Sequence, residues 1–152
     1  MNLQIRKGQT DDIATIVEFQ LAMAKETENL QLDKPTVEKG VAAVFNDSSK
    51  GQYFVAEMDH EIAASLMITF EWSDWRNGVV YWIQSVYVKE RFRRLGIYKK
   101  MYSHIQNLVM SDQNIRGIRL YVDKTNHRAQ QTYQNTGMNG EHYQLFEWMK
   151  HS

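Results

Sequence analysis

The sequence predicts a single α/β (α+β) domain on a mixed, mostly antiparallel sheet flanked by helices, and three observations carry that prediction. Short stretches that alternate apolar and polar residues are interleaved with longer ones whose apolar residues recur every three or four positions, the periods of strand and helix. The aromatic and β-branched run Val79 to Val88 passes through a glycine-closed basic loop into a helical pattern and then another strand. Such a β-α-β crossover puts one parallel pair into the sheet. Finally, 152 residues with one proline, eight scattered glycines and no repeat or low-complexity stretch suit one core over residues 1–152 without a linker.

Each element has its own signal. Leu3 and Ile5 alternate with polar neighbours as a short first strand. Thr10-Asp11-Asp12 supplies a cap and acidic first turn for a helix to about Ala24, with Ile13, Ile16, Val17, Phe19 or Gln20, and Met23 as its stripe. A second helix starts near Asp33 to Thr36, where Pro35 suits the first turn; it carries Val37, Val41, Val44 and Phe45 and stops at Asn46 to Gly51. Tyr53 to Met58 and Ile62 to Phe70 form a hairpin about Asp59-His60-Glu61. The turn Trp72 to Gly78 leads to the long strand Val79 to Val88, and Ile97, Met101, Ile105, Leu108 and Val109 then trace one helix face. Arg116-Gly117 precedes a strand at Ile118 to Val122, Asn126 to Asn135 is a last helix closed by Thr136-Gly137, and Tyr143 to Met149 is a final strand.

Composition narrows the function. Eighteen basic residues balance eighteen acidic ones, which disfavours nonspecific nucleic-acid binding. No run of about 18 apolar residues occurs, so no membrane partner is expected. The chain turns polar at once after Met1 and has no cysteine, which excludes disulfides, thiolate metal sites and cysteine nucleophiles and fits a cytoplasmic, reducing setting. His60, His104, His127, His142 and His151 lack close ligand spacing, so no metal is expected.

Against that neutral background the basic stretch Arg91-Phe92-Arg93-Arg94-Leu95-Gly96-Ile97-Tyr98-Lys99-Lys100 is local. A basic cluster closed by glycine where a strand meets a helix gathers backbone N–H groups and the positive end of a helix dipole, a cradle for phosphate or pyrophosphate. Around it stand Ser85-Val86-Tyr87-Val88, Arg93-x-x-Gly96 opening a helix, Asn126-x-Arg128-Ala129, Tyr133 and Gly137-Met138. In that order the motifs resemble the GCN5-related N-acetyltransferase (GNAT) family over nearly the whole chain. Ala24 to Glu28, Trp72 to Gly78 and Trp82 to Val88 are similar to a bacterial subgroup of it.

The resemblance implies an acyl-CoA N-acyltransferase fold in one N-acetyltransferase domain, residues 1–152, with acetyl-CoA as donor cosubstrate. It implies that the pantetheine arm lies along the fourth strand at Val86, Tyr87 and Val88, and that Arg93, Arg94, Leu95, Gly96, Ile97, Tyr98 and Lys99 surround the pyrophosphate, with Asn126 also facing the CoA groove. The family pattern has glycine or alanine where this chain has Tyr98, so that ring must point away from the phosphates or cover them. Tyr133 matches the acid that protonates the departing thiolate, and a main-chain N–H at Val86 would meet the thioester oxygen. Many relatives carry a glutamate base where Gln84 stands; Gln84 orients a water instead, and Glu26, Glu28, Asp74, Glu147 or His142 completes a proton path or cation pocket. Trp72 and Trp75, in the turn, wall an acceptor pocket beside Glu26, Glu28 or Asp74, whereas core packing accounts equally for Trp82 and Trp148.

The leading expectation is acetyl transfer to a primary amine by direct attack in a ternary complex. A small-molecule acceptor is preferred because the aromatic turn narrows the site. The competing reading is a noncatalytic acyl-CoA-binding regulatory module, motivated by Gln84 and Tyr98, and a nucleic-acid-binding module ranks last. Homodimerisation is a further expectation that the resemblance carries.

Overall fold

The structure, a computed structural model, describes residues 2–123 and 125–150. The chain divides into two compact units, one running through Arg119 and the other beginning at Leu120.

The N-terminal unit contains β1 (Leu3–Lys7), a 3₁₀ turn (Thr10–Asp12), α1 (Ile13–Glu28), α2 (Lys34–Asn46), β2 (Gln52–Met58), β3 (Glu61–Ser73), β4 (Gly78–Val88), a second 3₁₀ turn (Glu90–Phe92) and α3 (Ile97–Ser111). It closes with β5 (Ile115–Leu120), whose last residue opens the second unit. The sheet order is β1-β2-β3-β4-β5, with β1 to β4 successively antiparallel. The crossover through α3 makes the sheet mixed, as the sequence predicts.

Local chemistry explains the joints. Asp59 and His60 both take positive φ (49° and 70°), the conformation a two-residue hairpin needs between β2 and β3. Asp33 caps α2 by accepting from Thr36 N–H, with Pro35 in the first turn. Gly78 begins β4 where a Cβ would lie 2.6 Å from Arg116 Cγ and 2.8 Å from the Asn114 carbonyl oxygen, so only glycine lets β5 start there. The Val79 N–H bond to that carbonyl, at 2.8 Å, fixes the level.

The two sheet faces serve different helices. Tyr53, Val55 and Met67 pack with Ile13, Ile16 and Val17 of α1 and Val37 and Val41 of α2. Phe54, on the opposite face from Tyr53, meets His104 of α3 with ring centroids 5.7 Å apart, and Ile97, Met101 and Ile105 of α3 are buried. Alternation from Val55 and Met67 puts Ser65, Thr69 and Glu71 on the α1 face, and the partners of Ser65, Met67 and Thr69, which are Tyr87, Gln84 and Trp82, lie there too.

Several boundaries differ from the sequence reading. Helix α1 runs one turn beyond Ala24, to Glu28, and ends where Asn29 turns left-handed at φ 50°. Strand β5 begins three residues earlier than Ile118, with Gly117 inside it, because Asn114 is already bonded to β4. The expected strand from Tyr143 to Met149 has no regular structure, and Phe146 and Trp148 are 85% and 86% exposed. Large apolar residues occupy both of its parities, Tyr143 and Leu145 on one and Phe146 and Trp148 on the other, so neither face is the polar one of a half-buried strand. The C-terminal unit has one helix among its described residues, α4 (His127–Asn135).

Candidate active site

The candidate site begins with an irregularity in β4. Met67 pairs with Gln84 but Ser65 pairs with Tyr87, so Ser85 and Val86 together oppose the single residue Leu66. This is a β-bulge, and Ser85 sits at φ 56°, a region that disfavours a side chain. Past the bulge, Lys89 N–H bonds Ala63 O at 2.8 Å. By antiparallel alternation the backbone groups of Val88 and Val86 therefore turn away from β3. Strand β5 starts level with β4 and has 6 residues against 11, so within the N-terminal unit it runs out before β4 does. Beyond Gln84 the outer backbone edge of β4 thus faces no strand of that unit.

The edge leads directly into the basic loop. Phe92 is buried and anchors the 3₁₀ turn, Arg93 is extended, Arg94 is left-handed at φ 65°, and Gly96 is left-handed at φ 77° as the N-cap of α3. No side chain caps α3, and a Cβ at Gly96 would meet nothing within 4 Å. An uncapped helix start beside open space, with two left-handed residues steering the chain, fits an anion such as pyrophosphate. Ile97 is buried beneath it, Leu95 is exposed, and the half-buried Tyr98 ring lies 6.4 Å from Tyr102, one turn along α3. Tyr98 is therefore turned along its own helix.

The cations sort into two groups. Lys89 and Arg91 both bind Glu61, and Arg93 binds Glu26 at 2.7 Å. Among the described residues Arg94, Lys99 and Lys100 show no ion pair, which leaves them as the loop's available positive charges.

The α1 face of β3 and β4 carries a row of polar side chains. Gln84 Nε2 donates to Thr69 Oγ1 at 2.6 Å. Trp82 Nε1 donates to Glu71 Oε1 at 3.0 Å, and Arg119 pairs with the other oxygen of Glu71. Nearer the bulge, Tyr87 donates to Glu26 Oε2 at 2.6 Å, and burial followed by that hydrogen bond pushes its phenol up to about 12. The same bond from Tyr87, then Arg93, holds the Glu26 carboxyl below its ordinary value. Sequence reasoning missed Thr69, Glu71 and Ser85. Thr69 and Glu71 become visible once the β3–β4 register is known, whereas nothing local marks Ser85 as left-handed.

The other expected residues lie apart. Glu28 ends α1 and is exposed; Trp72, Asp74 and Trp75 sit at the tip of the β3–β4 hairpin, the two tryptophans 63% and 92% exposed. Among the described residues none of these three hydrogen-bonds, ion-pairs or stacks with Glu26 or Glu28. In the C-terminal unit, Asn126 Oδ1 caps α4 by accepting from Ala129 N–H at 3.0 Å. Tyr133, seven residues on, has its phenol pushed up by burial. No cluster of three metal-ligating side chains occurs among the described residues. No described helix is long and apolar enough to cross a membrane.

Residues 19–138 match the model of the Acetyltransferase (GNAT) family. The chain belongs to that family. A possible acetyltransferase from Clostridium difficile 630 is 41% identical over all of both chains, with a TM-score of 0.92. Glucosamine-6-phosphate N-acetyltransferase from Arabidopsis thaliana shares the fold at 19% identity, with a TM-score of 0.74 over 99% of this chain and 100% of that one. So does a predicted acetyltransferase with acetyl-CoA from Clostridium acetobutylicum, at 18% identity and a TM-score of 0.75 over 96% of each chain. None of the curated proteins compared matches the chain. The bulged β4, the basic loop and α3 all fall inside the GNAT match, and the match makes this chain an acetyltransferase.

Proposed function

We propose that this acetyltransferase moves the acetyl group of acetyl-CoA to a primary amine of a small molecule, by direct attack in a ternary complex. The observation that carries the proposal is the path of outward-facing backbone from the bulge at Ser85 through Val86 and the Val88 N–H, the Val88 carbonyl being taken by Arg93, to the uncapped start of α3. A pantetheine arm can bond that edge as an added strand would, and a pyrophosphate can accept from the amides after Arg93, with Arg94 and Lys99 supplying charge. Acetyl-CoA supplies an activated acetyl thioester. The fold shared with a protein holding acetyl-CoA supports this reading of the donor. The fold shared with an amino-sugar phosphate acetyltransferase supports the small amine as acceptor. The lack of cysteine fits a reducing cytoplasmic setting.

The chain's residues divide the remaining work. A lysine-like amine needs about 4 to 5 kcal/mol to lose its proton at pH 7. Gln84, fixed by Thr69, holds the water that takes that proton rather than acting as a base itself. The new bond is amine nitrogen to acetyl carbon and the broken one is carbon to sulfur; Val86 N–H stabilises the oxygen between. Tyr133, a phenol protonated at pH 7 whose titration burial raises further, returns a proton to the departing thiolate. Trp72, Asp74 and Trp75 line the acceptor's approach.

Incubation with acetyl-CoA and a panel of amines, read by release of free thiol, tests the proposal. Tyr133→Phe should lower kcat at least about 100-fold while acetyl-CoA binding and the circular dichroism spectrum stay unchanged. Full turnover in that variant would remove the acid role. Thermal stabilisation by acetyl-CoA without any acetylated product would instead establish a noncatalytic binding module.

A further inference from the structure

Glu26 and Arg93 are expected on different sides of the reaction, one facing the acceptor and one facing the donor phosphates, yet the structure joins them. Arg93 Nη2 donates to Glu26 Oε1 at 2.7 Å, across 67 positions of sequence. Its Nε donates to the Val88 carbonyl at 2.8 Å, and its guanidinium lies over the Tyr87 ring, 5.4 Å from the centroid. Tyr87 completes the triangle: its hydroxyl takes Glu26 Oε2 and its ring packs 5.0 Å from Phe19. Phe19 and Glu26 stand seven residues apart on α1, two turns along one stripe, so a single tyrosine bridges both. Both carboxylate oxygens of Glu26 are thereby occupied, and Arg93 spends two donors and one face within the protein.

We propose that Glu26, Arg93 and Tyr87 form a strut between the end of α1 and the β4–α3 loop that sets the affinity of that loop for the donor. Glu26 and Arg93 are positioning residues: Glu26 serves the donor side, and Arg93 holds the loop instead of binding phosphate. This rests on the reading of the loop as the acetyl-CoA site. Arg93 is the residue immediately before left-handed Arg94, so fixing its side chain to Glu26 and to Val88 fixes the direction in which the chain enters the cradle. The strut also joins the cradle to the helix that packs on the sheet face carrying Gln84. Glu90 is the other charged group acting on Arg93 and Tyr87. With Glu26 held low and Tyr87 held high, the triad keeps one charge state from about pH 5 to pH 10.

The decisive variant is Glu26→Gln. If Arg93 were a phosphate ligand, Glu26 would compete with the pyrophosphate for it, and Glu26→Gln would tighten acetyl-CoA binding. A strut predicts the opposite: Glu26→Gln and Arg93→Gln each raise the Kd for acetyl-CoA about 5-fold to 10-fold by calorimetry. The double variant is then no weaker than either single one, because both remove the same link. The KM for the amine stays within about twofold, and hydrogen exchange of the free protein speeds up over residues 89–99 in both single variants. Tighter binding, additive losses, or a raised amine KM with unchanged Kd would each overturn the proposal. Wild-type protein that binds no acetyl-CoA would overturn the donor reading itself; the exchange rates would then still show whether the strut holds the loop.

Discussion

Gly96 concentrates the donor-side argument in one residue. Its φ of 77° disfavours any side chain, yet a Cβ there would meet nothing within 4 Å, so Gly96→Ala introduces strain without a clash. The cost is about 1 to 2 kcal/mol, or roughly 2 to 8 °C in Tm for a chain of this size. The added methyl also stands in the open space at the uncapped end of α3. The expected outcome is therefore a mild thermal shift together with more than a tenfold rise in the Kd for acetyl-CoA; unchanged affinity would mean that the amides are not used. Glycine at this place was legible in the sequence because it closes a basic run before a helical stripe. The left-handed Ser85 and Arg94 were not, since neither is a residue type that favours that region, and their conformations follow from the β3–β4 register and from the turn into α3.

At the scale of elements, the first strand is tied to the first helix by a buried charge. Arg6 of β1 donates to both oxygens of Asp12, at 2.8 and 3.2 Å, and to Glu57 of β2, while Gln9 N–H donates to Asp12 at 2.7 Å. Asp12 is 6% exposed, so Arg6→Ala leaves a carboxylate without its cation and should cost about 3 kcal/mol in urea unfolding at pH 7. The pH dependence has a definite sign. Burial alone would raise the Asp12 carboxyl, but the bonds from Arg6 and Gln9 hold it below its ordinary value. Its stabilisation is therefore complete above about pH 4 and is lost as pH falls through the lowered value. In Arg6→Ala burial prevails and the carboxyl rises, so protonation relieves the variant first. The gap between the two proteins should narrow from pH 7 to pH 4, and a constant gap would assign the loss to packing. Periodicity made α1 to α3 and the four antiparallel strands legible, because each signal lies within a dozen residues. Contacts such as Arg93 with Glu26, or Glu71 with Arg119, depend on how distant segments pair. The expected strand at Tyr143 to Met149 failed for a different reason: its apolar residues fall on both parities, so the segment carries no alternation to mark a buried face.

On the scale of the whole molecule, the GNAT match over residues 19–138 crosses the boundary between the two units at Leu120. β5 crosses it as well, since its final residue belongs to the second unit. We propose that residues 1–152 unfold as one domain. The C-terminal unit has a single helix of 9 residues and no buried apolar residue among those described, too little to hold itself folded. Scanning calorimetry should then give one transition, with a van't Hoff enthalpy equal to the calorimetric one and near 100 kcal/mol at about 0.7 kcal/mol per residue. Acetyl-CoA at about 100 times its Kd adds roughly 2.7 kcal/mol to a state that binds it. The whole transition should therefore move up by about 5 to 10 °C. A second, ligand-insensitive transition would separate the C-terminal unit from the donor site and with it remove Tyr133 as the acid. A single transition that shifts as a whole keeps Tyr133 within the cooperative unit on which acetyl transfer depends.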